Sequence, residues 1–448
     1  MKIPEWFAET ETVFVCVPDH IGRLSGKRIA SDRLPEVLSS GLPVPDFHLI
    51  TDLDLDTVPG MAASGASTGY PNGVLFPALE TLRRAPWDSS TAIILADACR
   101  GRETPSLMDE APRSILGRQL DRLSRLGYSL RVSTELEFYV FRLPYAEAFD
   151  RGYQELPPYY HRRGDNDVLV TEFFEPFAGR VREAARSLGF PVETTQGEGG
   201  AGQIELNFPP RDPMAAADSH VLFKHAVKAV AHSMDVAATF MAKALTSAPG
   251  SGCHLNLSLQ DSSGQSLMGA DVPSGERSLG AIAESFLAGL LSYSPELILL
   301  HAPFGNSYRR FSSSGMAPRT VSWGYDNRTV MVRVAGSGST LRLELRLPGA
   351  DCNPYLSLAG AIAAGAAGIE NQLALPAPVS GDALAREDLP TVPLDLTEAV
   401  DAFGTSALAA SAFGDHVRAH VIGHARHELT RQRIEVTDRE LIRGFEAS

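Results

Sequence analysis

The chain is poor in cysteine, short of positive charge and free of any long apolar run, and each shortage removes a class of function. Its four cysteines, Cys16, Cys99, Cys253 and Cys352, include no Cys-x-x-Cys pair. That spacing argues against a disulfide framework and against a cysteine-based zinc site, and predicts buried thiols. Lys and Arg number 40 against 54 Asp and Glu, a formal net charge of −14, which disfavours sequence-independent binding to nucleic acid or to anionic lipid. No stretch approaches the roughly 18 uncharged apolar residues of a bilayer span, so no membrane partner is expected. A Gly-x-x-x-x-Gly-Lys-Ser/Thr loop is absent, which excludes a P-loop nucleotide site. There is no internal repeat of about 20 to 50 residues. The N-terminal run carries Glu5, Glu9 and Glu11 and lacks the charged-then-apolar layout of a secretory signal, so a cytoplasmic protein is expected.

What is present suits a large globular protein. The 448 residues are about three times a 150-residue domain, and 44% apolar with 21% charged residues lies near globular averages. The pattern predicts a small β-rich head over 1–105 and a larger domain over 106–448. In the head, 12–17 reads as a strand, a turn follows at Pro18-Asp19-His20, and a second extended stretch begins near Lys27. The Gly-, Ser- and Ala-rich stretch between Asp52 and Asn72 reads as a long loop. Beyond the junction a helix opens at Pro112, and strands at 128–141, 203–208 and 253–260 alternate with helices at 173–188 and 212–245. Asn353-Pro354 is a helix opening, Asn as cap and Pro in the first turn. The Ala- and Gly-rich run after it reads as a buried helix, 376–393 as a surface connection, and the last hundred residues as mostly helical.

Strand alternation places carboxylates together. Over 128–141, Leu130, Val132, Leu136, Phe138 and Val140 share one face, and Arg131, Ser133, Glu135 and Glu137 the other. Glu135 and Glu137 are same-face neighbours, roughly 6.8 Å apart. Glu205 stands opposite Ile204 and Leu206, His254 and Asn256 opposite Cys253, Leu255 and Leu257, and Arg342, Glu344 and Arg346 opposite the leucines of 341–347. If the apolar faces share a core, the polar faces share a surface, with Glu198 arriving from a Gly-rich loop. Two carboxylates ~7 Å apart repel by about 2.4 kcal/mol at an effective dielectric of 20, so several together need countercharge. Carboxylates with a single imidazole suit Mg²⁺ or Mn²⁺, and such metals commonly serve phosphoryl transfer. Solvated glutamates on a polar strand face are the plain alternative.

A basic constellation lies beside the acids. Arg309, Arg310, Arg319, Arg328, Arg333, Arg342 and Arg346 fall between 309 and 346. Their planar forks match phosphate and carboxylate, although part of the set could serve only to balance the acidic face. Metal-holding acids beside anion-holding arginines would suit ATP with an acidic co-substrate.

These residues resemble the glutamine synthetase family over nearly the whole chain. The similar stretches are Asp19-His20-Ile21-Gly22-Arg23, Pro86-Trp87, Pro112-Arg113, Glu135-Leu136-Glu137-Phe138, Gly202-Gln203-Ile204-Glu205, Gly250-Ser251-Gly252-Cys253-His254, Asn306-Ser307-Tyr308-Arg309-Arg310, Ala317-Pro318, Trp323-Gly324 with Asn327-Arg328, and Arg342-Leu343-Glu344-Leu345-Arg346 leading to Asn353-Pro354. The resemblance implies an α+β protein with an N-terminal β-grasp domain, a catalytic domain built on a curved antiparallel sheet, and a ring-forming homo-oligomer with active sites between subunits. It implies one metal at Glu137, Glu198 and Glu205 and a second at Glu135, His254 and Glu344. It assigns Gly250, Arg310 and Arg346 to the acidic substrate, and Asn256, Ser258, Arg328, Arg333 and Arg342 to ATP. Arg328, Glu344 and Arg346 are its catalytic residues. The implied reaction phosphorylates the γ-carboxylate of glutamate, after which a nitrogen nucleophile displaces phosphate to form an amide.

The chain departs from the family pattern at the nitrogen site. Glutamine synthetases proper carry a Glu before the Ala-Pro of the flap, where this chain has Met316. An Asp-Gly-Ser-Ser ammonium motif has no counterpart in the 52–67 loop. Pro249 and Asn256 replace the usual Asn and His. An ammonium pocket needs fixed negative charge, so the pattern is similar to the γ-glutamyl amide ligases, with glutamate and a small organic amine as substrates. Asp52, Asp54 and Asp56 could face a polyamine or form an exposed acidic turn. Ammonia-using glutamine synthetase and a catalytically silent ring-forming relative are the competing readings.

Overall fold

The computed structural model describes residues 3–270, 278–312 and 315–447, in which the alternating stretches of the sequence become two β-sheets. The first holds β1 (Thr12–Pro18), β2 (Leu24–Ala30), β3 (Leu42–Pro45), β4 (Asn72–Pro77), β5 (Arg83–Arg84), β6 (Thr91–Arg100) and β7 (Ser106–Leu107). Its main path runs β2-β1-β6-β4-β3, with β5 and β7 also against β6. β1 lies parallel to β6 and antiparallel to β2. Alternation divides β1 and β6 between two cores: Val13, Val15, Val17 and Ile94 fill the head's own, and Cys16, Ile93 and Leu95 join the large core beyond. The head therefore packs onto the rest through the opposite face of its two central strands. All four cysteines are free and buried.

The second sheet holds β8 (Tyr128–Phe141), β9 (Thr194–Gly197), β10 (Gln203–Asn207), β11 (Ala237–Thr239), β12 (Cys253–Asp261), β13 (Trp323–Tyr325), β14 (Val332–Ala335) and β15 (Arg342–Leu345). The order is β13-β14-β15-β12-β8-β10-β9, with β11 against one end of β8. Neighbours are antiparallel except β13 and β14, which are parallel. Leu130, Val132, Leu136, Phe138, Leu255, Leu257, Leu343 and Leu345 are buried on one face, in the core that also takes apolar residues of the helices Val168–Ser187, Pro213–Ser233, Ala281–Tyr293 and Pro354–Glu370. That leaves the other face for chemistry.

The helix expected over 212–245 ends at Ser233. Asp235 takes a left-handed backbone at φ 53°, which stops the helix, and Ala237 and Ala238 pair with Phe141 and Val140. Their helix-favouring side chains yield to the hydrogen bonds that an open end of β8 offers. The helix expected at 173–188 starts earlier, at Val168, with the Asp167 side chain capping Leu169 N, and carries Pro176 inside it. No regular element occurs between Ile50 and Asn72 other than an isolated bridge, as the loop reading expected.

Asn353 caps the helix Pro354–Glu370 by accepting from Tyr355 N at 3.0 Å and Leu356 N at 3.5 Å. Its side-chain amide donates to the carbonyls of Asp19 and His20 at 3.0 and 2.9 Å, joining the head turn to the cap. The same helix approaches Ala281–Tyr293 so closely that a Cβ at Gly289 would lie 2.3 Å from the Ala364 carbonyl oxygen and 2.8 Å from Gly368 Cα. Gly289→Ala is expected to lower stability by about 1–3 kcal/mol through overpacking. Gly444→Ala, with nothing within 4 Å of the new methyl, should leave it unchanged, and denaturant unfolding of both variants checks the contrast.

Candidate active site

Strand register assembles the carboxylates. Glu205 of β10 is paired directly across from Glu137 of β8, Glu135 from His254 of β12, and Glu344 of β15 from both Asn256 and Arg333. Glu198 enters from the turn between β9 and β10. With Arg310, Arg328, Arg333, Arg342, Arg346, Gly250 and Met316, these acids and His254 line one cavity of about 640 Å³. All six metal-site residues expected from the sequence and its resemblance are thus brought together.

Each acid has a distinct set of partners. Glu135 Oε2 lies 3.0 Å from His254 Nδ1, and Oε1 accepts from Asn256 Nδ2 at 2.9 Å. Glu137 Oε2 accepts from Gly252 N at 3.0 Å and from Gln203 Nε2 at 3.1 Å. Gln196 Nε2 bridges Glu198 and Glu205, donating to one oxygen of each at 3.2 and 3.1 Å. Glu344 receives Arg333 Nη1 at 2.7 Å on one oxygen and Arg346 on the other.

Burial and mutual repulsion set the protonation. Burial first, then the charges of Glu137, Glu135 and Glu198, pushes Glu205 up to about 9. Glu198 is raised by burial and by Glu137. Burial opposes ionisation of Glu135 too, but hydrogen bonds from His254 and Asn256 and the charges of His254 and Arg346 hold it at about 2. Carboxyls pushed up by burial and by one another mark a site short of positive charge. One ligand atom from each of Glu135, His254 and Glu344 falls within 4.8 Å of the others. This donor set fits hard divalent cations.

The arginines divide. Arg310 is buried and donates to the carbonyls of Leu347 and Arg346 at 2.9 and 3.0 Å, and Arg342 Nε donates to Asn256 Oδ1 at 2.9 Å. Arg328 is exposed at the cavity edge. Arg309 and Arg319 are exposed and are not among the lining residues. Ser258 pairs with Arg131 further along β12 and also lies outside the lining. Asp52 and Asp54 are held by His427 and Arg431, at 3.0 and 2.7 Å, and do not line this chain's cavity.

Several lining residues escaped the sequence reading. Arg163, Asp165 and Asn166 come from an irregular segment whose last two residues have φ of 30° and 65°, with no periodicity to flag them. Gln196 lies on β9, a strand of four residues that is too short for alternation to show. Gln203 was visible on the polar face of its strand, but its contacts were not: it also donates to Gly250 O at 3.0 Å and accepts from Gly200 N at 3.0 Å. Met316, at the expected flap position, is 58% exposed between Gly315 and Ala317 on the cavity wall.

The chain is similar to known proteins over nearly all of its length. Residues 109–443 match the model for the glutamine synthetase catalytic domain. The chain is 42% identical over 439 residues to a gamma-glutamylethanolamide synthetase of Streptomyces coelicolor, covering 98% of this chain and 93% of that protein. It is 31% identical to a glutamate–isopropylamine ligase of a Pseudomonas species, over 97% and 94%, and 33% identical to a glutamine synthetase of Thermus thermophilus, over 74% of each. Among solved structures, a GmaS/ADP complex superposes with a TM-score of 0.84 at 26% identity, covering 98% and 97% of the two chains. The likeness spans the whole length and both sheets, and the chain belongs to the glutamine synthetase family.

Proposed function

We propose that the protein is an ATP-dependent ligase that joins the γ-carboxylate of glutamate to a small organic amine through a γ-glutamyl phosphate. The observation that carries this reading is the single cavity in which five glutamates and His254 face six arginines while Met316, not an acid, stands on the wall. Glutamate–amine ligation is also the activity named for two of its relatives.

In this reading Glu137, Glu198 and Glu205 hold one Mg²⁺ or Mn²⁺, and Glu135, His254 and Glu344 hold another. The metals supply charge neutralisation for the phosphate oxygens. Arg328, Arg333 and Arg342 take the ATP phosphates, with Asn256 orienting Arg342 through its 2.9 Å hydrogen bond. Arg346 and Arg310 lie on the glutamate side with Gly250. Arg310 is anchored by two backbone carbonyls, so its guanidinium is preorganised and orders little further on binding. Glu344 is gripped by Arg333 and Arg346 and fixes both forks. Positioning and electrostatics of this kind carry phosphoryl transfer without a covalent enzyme intermediate. The thioether of Met316 cannot hold ammonium by charge, but it offers apolar, adaptable surface to an amine's carbon skeleton. The head over 1–105 and the catalytic domain over 106–448 form one cytoplasmic subunit of a ring with inter-subunit sites. No described helix is long and apolar enough to cross a membrane.

Phosphate release from ATP is expected to require glutamate, Mg²⁺ or Mn²⁺ and an amine together. An amine panel read by phosphate release, with mass detection of the amide, checks this; release driven equally well by ammonium alone would return the protein to the ammonia-using reading. Glu137→Ala should cut kcat by at least about 10²–10³-fold, the scale for removing one preorganised electrostatic group, and abolish the rise in Tm that Mn²⁺ gives the parent. Calorimetry showing neither ATP nor metal binding by the parent would favour a silent relative instead. Met316→Glu, which restores an acid at the flap, should shift the kcat/KM ratio toward ammonium and away from the preferred amine.

A further inference from the structure

Far from the carboxylates, three histidines meet where the head touches the C-terminal helix Ala407–Ile434. His420 and His424 are four residues apart on that helix, hence on one face, and His20 comes from the turn between β1 and β2. One ring nitrogen from each lies within 4.8 Å of the other two. The residues are only 7%, 4% and 8% exposed for His20, His420 and His424, and none lines the catalytic cavity.

Polar atoms in such a place are normally paired. Here His20 Nδ1 and both ring nitrogens of His420 are buried without a hydrogen-bond partner. The rings pack on one another, His20 and His424 stacked at 3.8 Å and His420 edge-on to both, but that packing satisfies none of these nitrogens, and an unmade hydrogen bond at a buried nitrogen is unfavourable. His424 Nε2 lies 3.2 Å from the Leu49 carbonyl and donates to it, so Nδ1 is the nitrogen that keeps a lone pair; because the His20 and His424 rings stack within 7° of parallel, one of the two turns when an ion enters. A small cavity of about 30 Å³ abuts His20 and His424, walled also by Asp52, His427 and Glu428; that is roughly the volume of one water. His427 in turn lies 3.0 Å from Asp52.

We propose that His20, His420 and His424 form a divalent-metal site, separate from the catalytic one, that takes Zn²⁺ with three imidazoles and one water. Three neutral imidazoles select a borderline metal such as zinc over the hard ions suited to the carboxylates. The metal joins the His20 turn, already fixed by Asn353, to the C-terminal helix, and so clamps the head to the catalytic domain.

Co²⁺ is the probe, because four-coordinate Co²⁺ absorbs visible light strongly whereas six-coordinate Co²⁺ in a carboxylate site is pale. The full-length chain, stripped with chelator and reloaded, should show the intense bands, and Zn²⁺ should displace them at one equivalent per chain. Chelation should lower Tm. His420→Gln and His424→Gln should each lose the bands while keeping amine-dependent phosphate release in Mg²⁺. Only pale bands in the parent, or intense bands surviving either substitution, overturn the site. Should a variant fail to fold, X-ray absorption of the parent loaded with one Zn²⁺ decides. A shell with three imidazole nitrogens at about 2.0–2.1 Å supports the proposal, and a shell without them overturns it.

Discussion

The structure depends on an electrostatic conflict that it holds in place. Glu205 and Glu137 face each other across adjacent strands, an arrangement in which like charges are destabilising, and Glu198 and Glu135 crowd the same space. The sheet does not relax this conflict, because the opposite faces of those strands are committed to the core through Leu206, Leu136 and Phe138. A slip of one residue would free the acids only by exposing the leucines. Hydrophobic packing therefore stores negative charge that a cationic ligand would neutralise. The upward push on the Glu205 carboxyl, from burial first and then from its acidic neighbours, is the mark of that storage.

The arginines complete the balance from the other side. Glu344 has one oxygen against Arg333 and the other against Arg346, so the boundary between acidic and basic halves runs through a single buried carboxylate. Ligands that carry both phosphate and divalent cation would meet complementary charge on each half. The same division explains why the wall at Met316 matters: it is a stretch where the cavity presents neither sign.

Much of this was legible in the sequence because β-strand alternation is a local rule. The 14 residues of β8 display it plainly, and Glu135, Glu137, Glu205, His254 and Glu344 each declare their face without any knowledge of neighbours. What alternation cannot state is which strand lies beside which. The opposition of Glu205 to Glu137, and the delivery of Glu198 beside them, rest on pairing between segments about 70 residues apart, and only the resemblance pointed to them. The irregular chain around Asp165, the four-residue strand bearing Gln196, and the early end of the helix at Ser233 were hidden for the same reason. The conformations of these segments are settled by the strands they meet, Thr194–Gly197 by the neighbouring Gln203–Asn207 and Ala237–Thr239 by the distant end of β8.

Asn353 performs two tasks with one side chain. Its oxygen closes the first turn of a buried helix, and its nitrogen holds two carbonyls of a segment more than 330 residues earlier in the chain. The head is consequently no interchangeable cassette: a transplanted front half with a different turn at this point would leave the buried Asn353 side-chain nitrogen without acceptors in the middle of the enzyme, and chimeras spliced at the junction would need to inherit both partners together.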